Sequence, residues 1–253
     1  MPGQGPLGDP VAESKRLVAA ATGKGLTVRV LGGVAVCLQA PPEGPLLART
    51  CGDIDVATPR GRRRETIEMF QEAGYASDEM FNALHGARRL LFYDDINSRK
   101  LDVFVGDFTM CHAIPITDRL DREPLTVPLA ELLLTKLQIV ELTERDQRDI
   151  YNLSFHHPLG NGSVSGIEAD YVAELCAKDW GLWRTSKATI EKCLANLGDY
   201  SLPPDAERII AESLQALLKR IEAAPKSARW RIRSRVGDRM RWYDQPEENA
   251  VSN

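Results

Sequence analysis

Hydrophobic and polar positions change rhythm twice along this chain. Residues 11 to 22 carry apolar positions at helical spacing, LTVRVL (26 to 31) is a β-branched run ending at Gly32-Gly33, and VAVCLQA reads as a short helix. PPEGP is a loop, DIDVAT a strand, and RRRETIEMFQEAG a helix stopped by Gly74. From 78 to 107 the pattern turns hairpin-like: ARRLLFYD and KLDVFV are strands joined by the turn-rich DINSR. From Pro128 onward strand signals almost vanish, and helical patterns follow at 129 to 143, 146 to 155, 167 to 177, 179 to 197, 204 to 223 and 227 to 241. PLGNGSVSG (158 to 166) is a loop-like stretch within that half, and no internal repeat is visible. The pattern predicts an α/β (α+β) chain. A flexible start (1-10) precedes a mixed-sheet α/β domain (11-127), a helical domain (128-243) and a flexible end (244-253).

Composition narrows the class. At 253 residues and 43% hydrophobic content the chain is long enough to bury a sizeable core. No stretch approaches the roughly 18 apolar residues that span a bilayer, and MPGQGPLGDP lacks the basic start and apolar run of a signal peptide, so the expectation is a cytoplasmic protein with no membrane partner. The five cysteines are scattered and include no CxxC pair, which points to reduced thiols rather than a disulfide framework or a zinc site. The net charge of -4 makes no global case for nucleic-acid binding, but the basic charge is clustered.

The chemistry concentrates in carboxylates. Side chains alternate along a strand, so Asp53 and Asp55 face the same way, with Ile54 and Val56 opposite. Two unit charges about 4 Å apart at an effective dielectric near 20 repel by roughly 4 kcal/mol, so the pair needs basic partners or a bound cation. Arg49, Arg60 and Arg62 to Arg64 are the available basic partners. Asp102 lies in KLDVFV, an apolar run where a lone carboxylate is costly unless paired or bound to metal. Asp94 and Asp95, beside the turn residues Asn97 and Ser98, are expected to be solvated. Gly32-Gly33, between a strand and a helix, lets backbone amides approach a phosphate, although glycines also simply make tight turns. Neither GxGxxG nor GxxxxGK[ST] follows the LTVRVL strand. Around AELLLTKLQIVEL, Leu129, Leu132, Leu133 and Val140 form one helical stripe with Lys136 in its middle, while Glu131, Gln138 and Glu141 fall on the other side. A lysine there either snorkels to the edge or serves a buried anion.

Leu31-Gly32-Gly33, Asp53-Ile54-Asp55 and Asp102, in that order, resemble the signature of the nucleotidyltransferase superfamily related to DNA polymerase β. The resemblance implies that Asp53, Asp55 and Asp102 hold two divalent cations (Mg2+ or Mn2+), that Asp102 also helps deprotonate the acceptor hydroxyl, and that Gly32 and Gly33 cradle the phosphates of an NTP. LLLTKLQIVELTERDQRDIYNL further resembles the AbiEii/AbiGii-type branch. That likeness implies that Lys136, with Arg49, neutralises nucleotide phosphates, and that Asp149 belongs to the same apparatus. The chain departs from the branch at Asn152, where a second aspartate is expected, and at Gly33, where many relatives carry serine. The likeness covers about residues 26 to 153.

Two basic segments bear on the acceptor. RGRRRETI has four arginines after the DxD strand, with Arg88-Arg89 opening a neighbouring strand, and residues 226 to 241 carry Lys226 and six arginines interleaved with Trp230. With Trp242 and Tyr243 just beyond, the tail suits RNA contact by charge and stacking, or a surface helix docked through its tryptophans. Trp180 and Trp183 are expected to pack the helical domain, and His156 and His157 to lie in a loop. The leading expectation is transfer of a nucleoside monophosphate to an acceptor hydroxyl, by branch resemblance the 3' end of tRNA, in a toxin with an antitoxin partner. The alternatives are an antibiotic nucleotidyltransferase and a non-catalytic nucleotide- or RNA-binding protein of the same fold.

Overall fold

A computed structural model describes residues 5–160 and 166–245. The chain folds as two compact units. The first runs to Thr109 and includes Ile114–Leu132, and the second comprises Met110–Ala113 and the chain from Leu133 onward. The division falls inside a helix, a few residues beyond the expected boundary at 127.

In the first unit, α1 (Pro10–Gly23) starts where Asp9 accepts a hydrogen bond from the Ala12 amide and Pro10 supplies a preset φ. It buries Leu17, Val18 and Ala21. β1 (Arg29–Leu31) runs directly into α2 (Gly32–Gln39), so the helix begins on the Gly-Gly pair itself. β2 (Ile54–Thr58) and α3 (Arg63–Glu72) follow, then β3 (Ala76–Ser77), α4 (Glu79–His85), β4 (Arg89–Asp94) and β5 (Arg99–Val105). These strands make one sheet in the order β1-β2-β5-β4-β3, with β2 and β5 parallel and the other neighbours antiparallel. Its core includes the fully buried Val30, Ile54, Val56, Leu90, Phe92, Leu101 and Val103. Two short strands, β6 (Phe108–Thr109) and β7 (Ala113–Ile114), form a separate ribbon.

Two expectations for this unit need correction. The stretch around 80 is a helix capped by Asp78, not part of a hairpin. Met80 and Leu84 on α4 are exposed, so its apolar residues mark no buried stripe, and the helix is anchored instead by Asn82, which exchanges hydrogen bonds with the Leu91 backbone at 2.7 and 3.1 Å. Asp94 is buried rather than solvated: it accepts from the Ile96 and Asn97 amides, both at 3.1 Å, and lies 3.4 Å from Arg99.

Helix α5 (Leu129–Leu137) ends well short of residue 143. The chain turns and restarts as α6 (Glu144–His156), whose capping box, Thr143 with Asp146, is the local reason for the break. Val140 therefore lies outside the helix, and the expected polar side does not exist. Glu131 is fully buried against Arg119, and buried Gln138 accepts from the His112 amide at 2.8 Å. His156 closes α6 rather than a loop, and burial pulls its imidazole pKa down.

Beyond it, β8 (Leu159–Gly160) and β9 (Ile167–Glu168) pair in parallel where only loop and helix were expected, while 161–165 of the PLGNGSVSG stretch lie outside the described residues. The helices α7 (Ala169–Lys178), α8 (Trp180–Asn196), α9 (Pro204–Ala223) and α10 (Ala228–Val236) complete the unit. α9 buries Ala206, Ile210, Leu214, Leu217 and Ile221 at helical spacing, whereas α10 buries no residue fully. Among the described residues no helix is long and apolar enough to cross a membrane.

Candidate active site

The sheet register pairs Leu31 with Asp55 and Asp55 with Asp102. Paired residues of a parallel ladder point to the same face, so Asp55 and Asp102 stand side by side. Asp53, exposed just ahead of β2, accepts from the Lys100 amide at 3.1 Å. Asp102 is 3% exposed, and both its oxygens are engaged: Oδ1 accepts from Arg89 Nε at 2.8 Å, and Oδ2 lies 2.8 Å from Lys100 Nζ. Arg89 is itself clamped between the rings of Phe81 and Phe104, 5.7 and 5.4 Å from their centroids. The buried carboxylate therefore has the partners that its burial demands.

The glycine pair closes on the same place. Gly32 has φ +68, and a Cβ there would lie 2.2 Å from Asp55 Oδ2. A Cβ on Gly33 would lie 1.7 Å from Arg49 Nη2. Only two adjacent residues without side chains let a carboxylate and a guanidinium sit against the first turn of α2, whose amides carry the positive end of the helix dipole. The set has hard carboxylate oxygens for a divalent cation and an arginine with helix amides for phosphate, so the residues fit the two-cation chemistry in type. Among the described residues no three His, Cys, Asp or Glu side chains are gathered closely enough to hold a metal.

Lys136 belongs to the second unit and does not snorkel. It is 9% exposed and lies 2.9 Å from Asp149 and 3.1 Å from Asp146, both on α6. Burial pulls the ammonium pKa down, but Asp149 and Asp146 more than offset this and the net shift is upward. Asp146 shows the converse: burial raises its carboxyl pKa, and Lys136 with Thr143 carries it below the usual range. Asp146 was not singled out from sequence, although its spacing of three from Asp149 places both on one helix face. The expected site residues thus fall into two groups, Gly32, Gly33, Arg49, Asp53, Asp55 and Asp102 in the first unit, and Lys136 with Asp149 in the second.

The two basic segments differ. In the first, Arg62 pairs with Glu65 at 2.7 Å and Arg64 with Glu68 at 2.8 Å, while Arg63 donates to the Asn82 carbonyl. Much of that charge is matched locally. The tail docks through its tryptophans: Trp230 meets Trp183 edge-on at 5.1 Å, and Trp242 meets Trp180 at 6.1 Å. Arg229, Arg231, Arg235 and Arg239 remain exposed.

Cys37 in α2 and Cys51 ahead of β2 bring their Sγ atoms within 3.5 Å, both as thiols rather than a disulfide. Oxidised glutathione is expected to link them, closing a loop of about 15 residues that carries Arg49 and stabilising the fold by roughly 3 kcal/mol. Mass spectrometry without reductant detects the link, Cys51→Ser abolishes it, and a pair that stays reduced refutes the expectation.

No protein-family model matches this chain and no curated protein matches it, so its chemistry is read from these residues alone.

Proposed function

We propose that the protein is a metal-dependent nucleotidyltransferase that moves a nucleoside monophosphate from an NTP to an acceptor hydroxyl and releases pyrophosphate. The observation that carries this reading is the register of Asp55 with Asp102 on one sheet face, with Gly32 packed against Asp55 and Gly33 against Arg49. Magnesium or manganese, when bound, supplies Lewis-acid stabilisation of the attacking and leaving oxygens. Asp53, Asp55 and Asp102 would hold it through their carboxylates. Arg49 and the α2 amides hold phosphate oxygens. Arg89, fixed between two rings, keeps Asp102 oriented through Oδ1. Lys100 is the movable partner: its ammonium, on a flexible stem with a quarter of its side chain exposed, swings from Asp102 Oδ2 to a phosphate and frees that oxygen to take the hydroxyl proton. Lys136 is the further phosphate-neutralising residue that the branch resemblance implies.

The acceptor in this reading is an RNA hydroxyl, by resemblance the 3' end of tRNA, and the biological setting a toxin restrained by an antitoxin. Incubation with each α-labelled NTP, magnesium or manganese, and total tRNA is expected to label RNA and release pyrophosphate. Label moving instead to a hydroxylated antibiotic would reassign the acceptor. No transfer from any NTP to either class would leave only nucleotide or RNA binding.

A further inference from the structure

Within the second unit, α10 and the chain after it fold over the start of α8 and line an open cavity of about 510 Å3, within the size range of small-ligand sites. Its aromatic wall is Trp180, Trp230, Trp242 and Tyr243. These rings are held in place rather than left free. The Trp242 indole donates to Thr185 Oγ1 at 3.1 Å, and Thr185 is in turn bonded to His112 Nε2 at 2.8 Å. Gly181 admits the tail backbone: a Cβ there would lie 2.5 Å from the Trp242 carbonyl oxygen. The Asp244 amide then donates to the Cys111 carbonyl at 3.0 Å and pins the end of the segment.

The charged groups of the wall divide by whether they are already used. Arg233 stacks 4.5 Å from the Trp180 centroid and donates to the Gly237 and Met240 carbonyls at 2.8 and 2.7 Å, so it clasps the loop that forms the cavity. Asp179 caps α8 through the Leu182 amide at 2.9 Å. Arg229 and Arg241 are exposed at the wall; Arg241 donates through Nε to the Tyr243 carbonyl at 3.0 Å and lies over the Tyr243 ring at 4.9 Å, which leaves its Nη groups for a phosphate. Asp179 and Asp244 are exposed in the same wall and disfavour a compact, multiply charged phosphate, whereas ring faces and arginines suit a planar base with single phosphates on the arginines. Arg231, Arg235 and Arg239 extend exposed positive charge along the same segment, which matches a string of phosphates better than one compact nucleotide.

We propose that this cavity takes one unpaired base of a single-stranded polynucleotide, stacked on Tyr243 and its neighbouring indoles, with the flanking phosphates on Arg229 and Arg241. A duplex keeps its base faces stacked away and does not fit. The proposal deepens the RNA reading above by naming how the strand is held, and its test omits NTP and metal so that it succeeds or fails apart from the transfer chemistry. Fluorescence anisotropy with the full chain compares a labelled RNA octamer, the DNA octamer of the same sequence, the RNA duplex, and heparin as competitor. The single strands are expected to bind at least about tenfold tighter than the duplex, in line with the worth of one stacked base. Tyr243→Ala weakens single-strand binding by about 5- to 100-fold. Arg229→Ala lowers the slope of log affinity against log salt by about 0.7. Arg208→Ala, on α9, leaves both unchanged. RNA and DNA binding alike supports a pocket indifferent to the sugar, and RNA binding alone adds recognition of the 2'-hydroxyl. If Tyr243→Ala melts early, Tyr243→Leu, which keeps bulk without the ring, decides. Duplex or heparin held as tightly as the single strand, or full affinity in a folded Tyr243 variant, overturns the proposal.

Discussion

Asp55→Asn is expected to lower nucleotidyl transfer by about a thousandfold while the protein stays folded. The substitution keeps the shape of the side chain and removes one negative charge beside Asp102, its register partner. A bound cation contributes several kcal/mol of charge stabilisation in the transition state, and a loss near 4 kcal/mol corresponds to roughly a factor of a thousand. Repulsion between neighbouring carboxylates falls at the same time, so the melting temperature moves little. Gly32→Ala is the steric counterpart. Its Cβ would enter the space of Asp55 Oδ2 at 2.2 Å, and φ +68 costs a side chain about 1 to 2 kcal/mol. That variant should lose activity and melt earlier, whereas Asp55→Asn should lose activity alone. Label transfer and calorimetry on the same preparations separate the two, and wild-type transfer by Asp55→Asn would sink the mechanism.

Lys136→Met is expected to be the most damaging single change to stability. It strands Asp149, which is 1% exposed and whose ion pair with Lys136 is buried, and breaking such a pair costs about 3 to 5 kcal/mol. In a chain of this size that corresponds to a drop of roughly 10 °C in Tm. The double variant Lys136→Met/Asp149→Leu should recover part of the loss, because the desolvation cost of Asp149 disappears with its charge while Asp146 stays charged and keeps only Thr143 among the described residues. A near-neutral single variant would contradict the pairing. The same cluster sets a pH window. Asp146 titrates lower in the folded state, so its contribution is present above the unfolded carboxyl value near 4 and is lost as pH falls through the folded value. Lys136 titrates higher, so its contribution is complete below about 10.4 and is lost as pH rises beyond it. Urea titrations across pH should show a plateau between those limits, flattened at both ends in the double variant.

Much of the fold was legible because its signals are local. The β-branched runs of β1, β2 and β5 and the apolar stripe of α9 are written in neighbouring residues. α4 escaped because Met80 and Leu84 face outward, and its anchor, Asn82, works through a strand nine residues away. The polar side expected for α5 failed because Glu131 finds Arg119 from a separate segment, a pairing that no helical wheel contains. The candidate site divides the same way. The glycines and aspartates announce themselves by spacing. Arg89, which holds Asp102 from β4, is visible only once β4 and β5 lie in register, whereas Lys100, two residues before Asp102 on β5, shares its face by alternation. Asp146 had a nearby signal in its capping box with Thr143, yet its ion pair with Lys136 needs the turn between α5 and α6.

The parallel pairing of β2 with β5 has a consequence for the order in which the protein assembles. Partners across it, such as Asp53 and Lys100, are 47 residues apart, while β4 and β5 meet through a short turn. Closing the longer loop costs more chain entropy before any contact repays it, so the hairpin can form early and the β2 edge joins late. During synthesis, a chain that has emerged only as far as α3 holds the glycines, Asp53 and Asp55 but has no Asp102 to set beside them. The proposed reactive centre is therefore a property of the finished sheet, and any nascent or truncated chain lacking β5 should be catalytically silent.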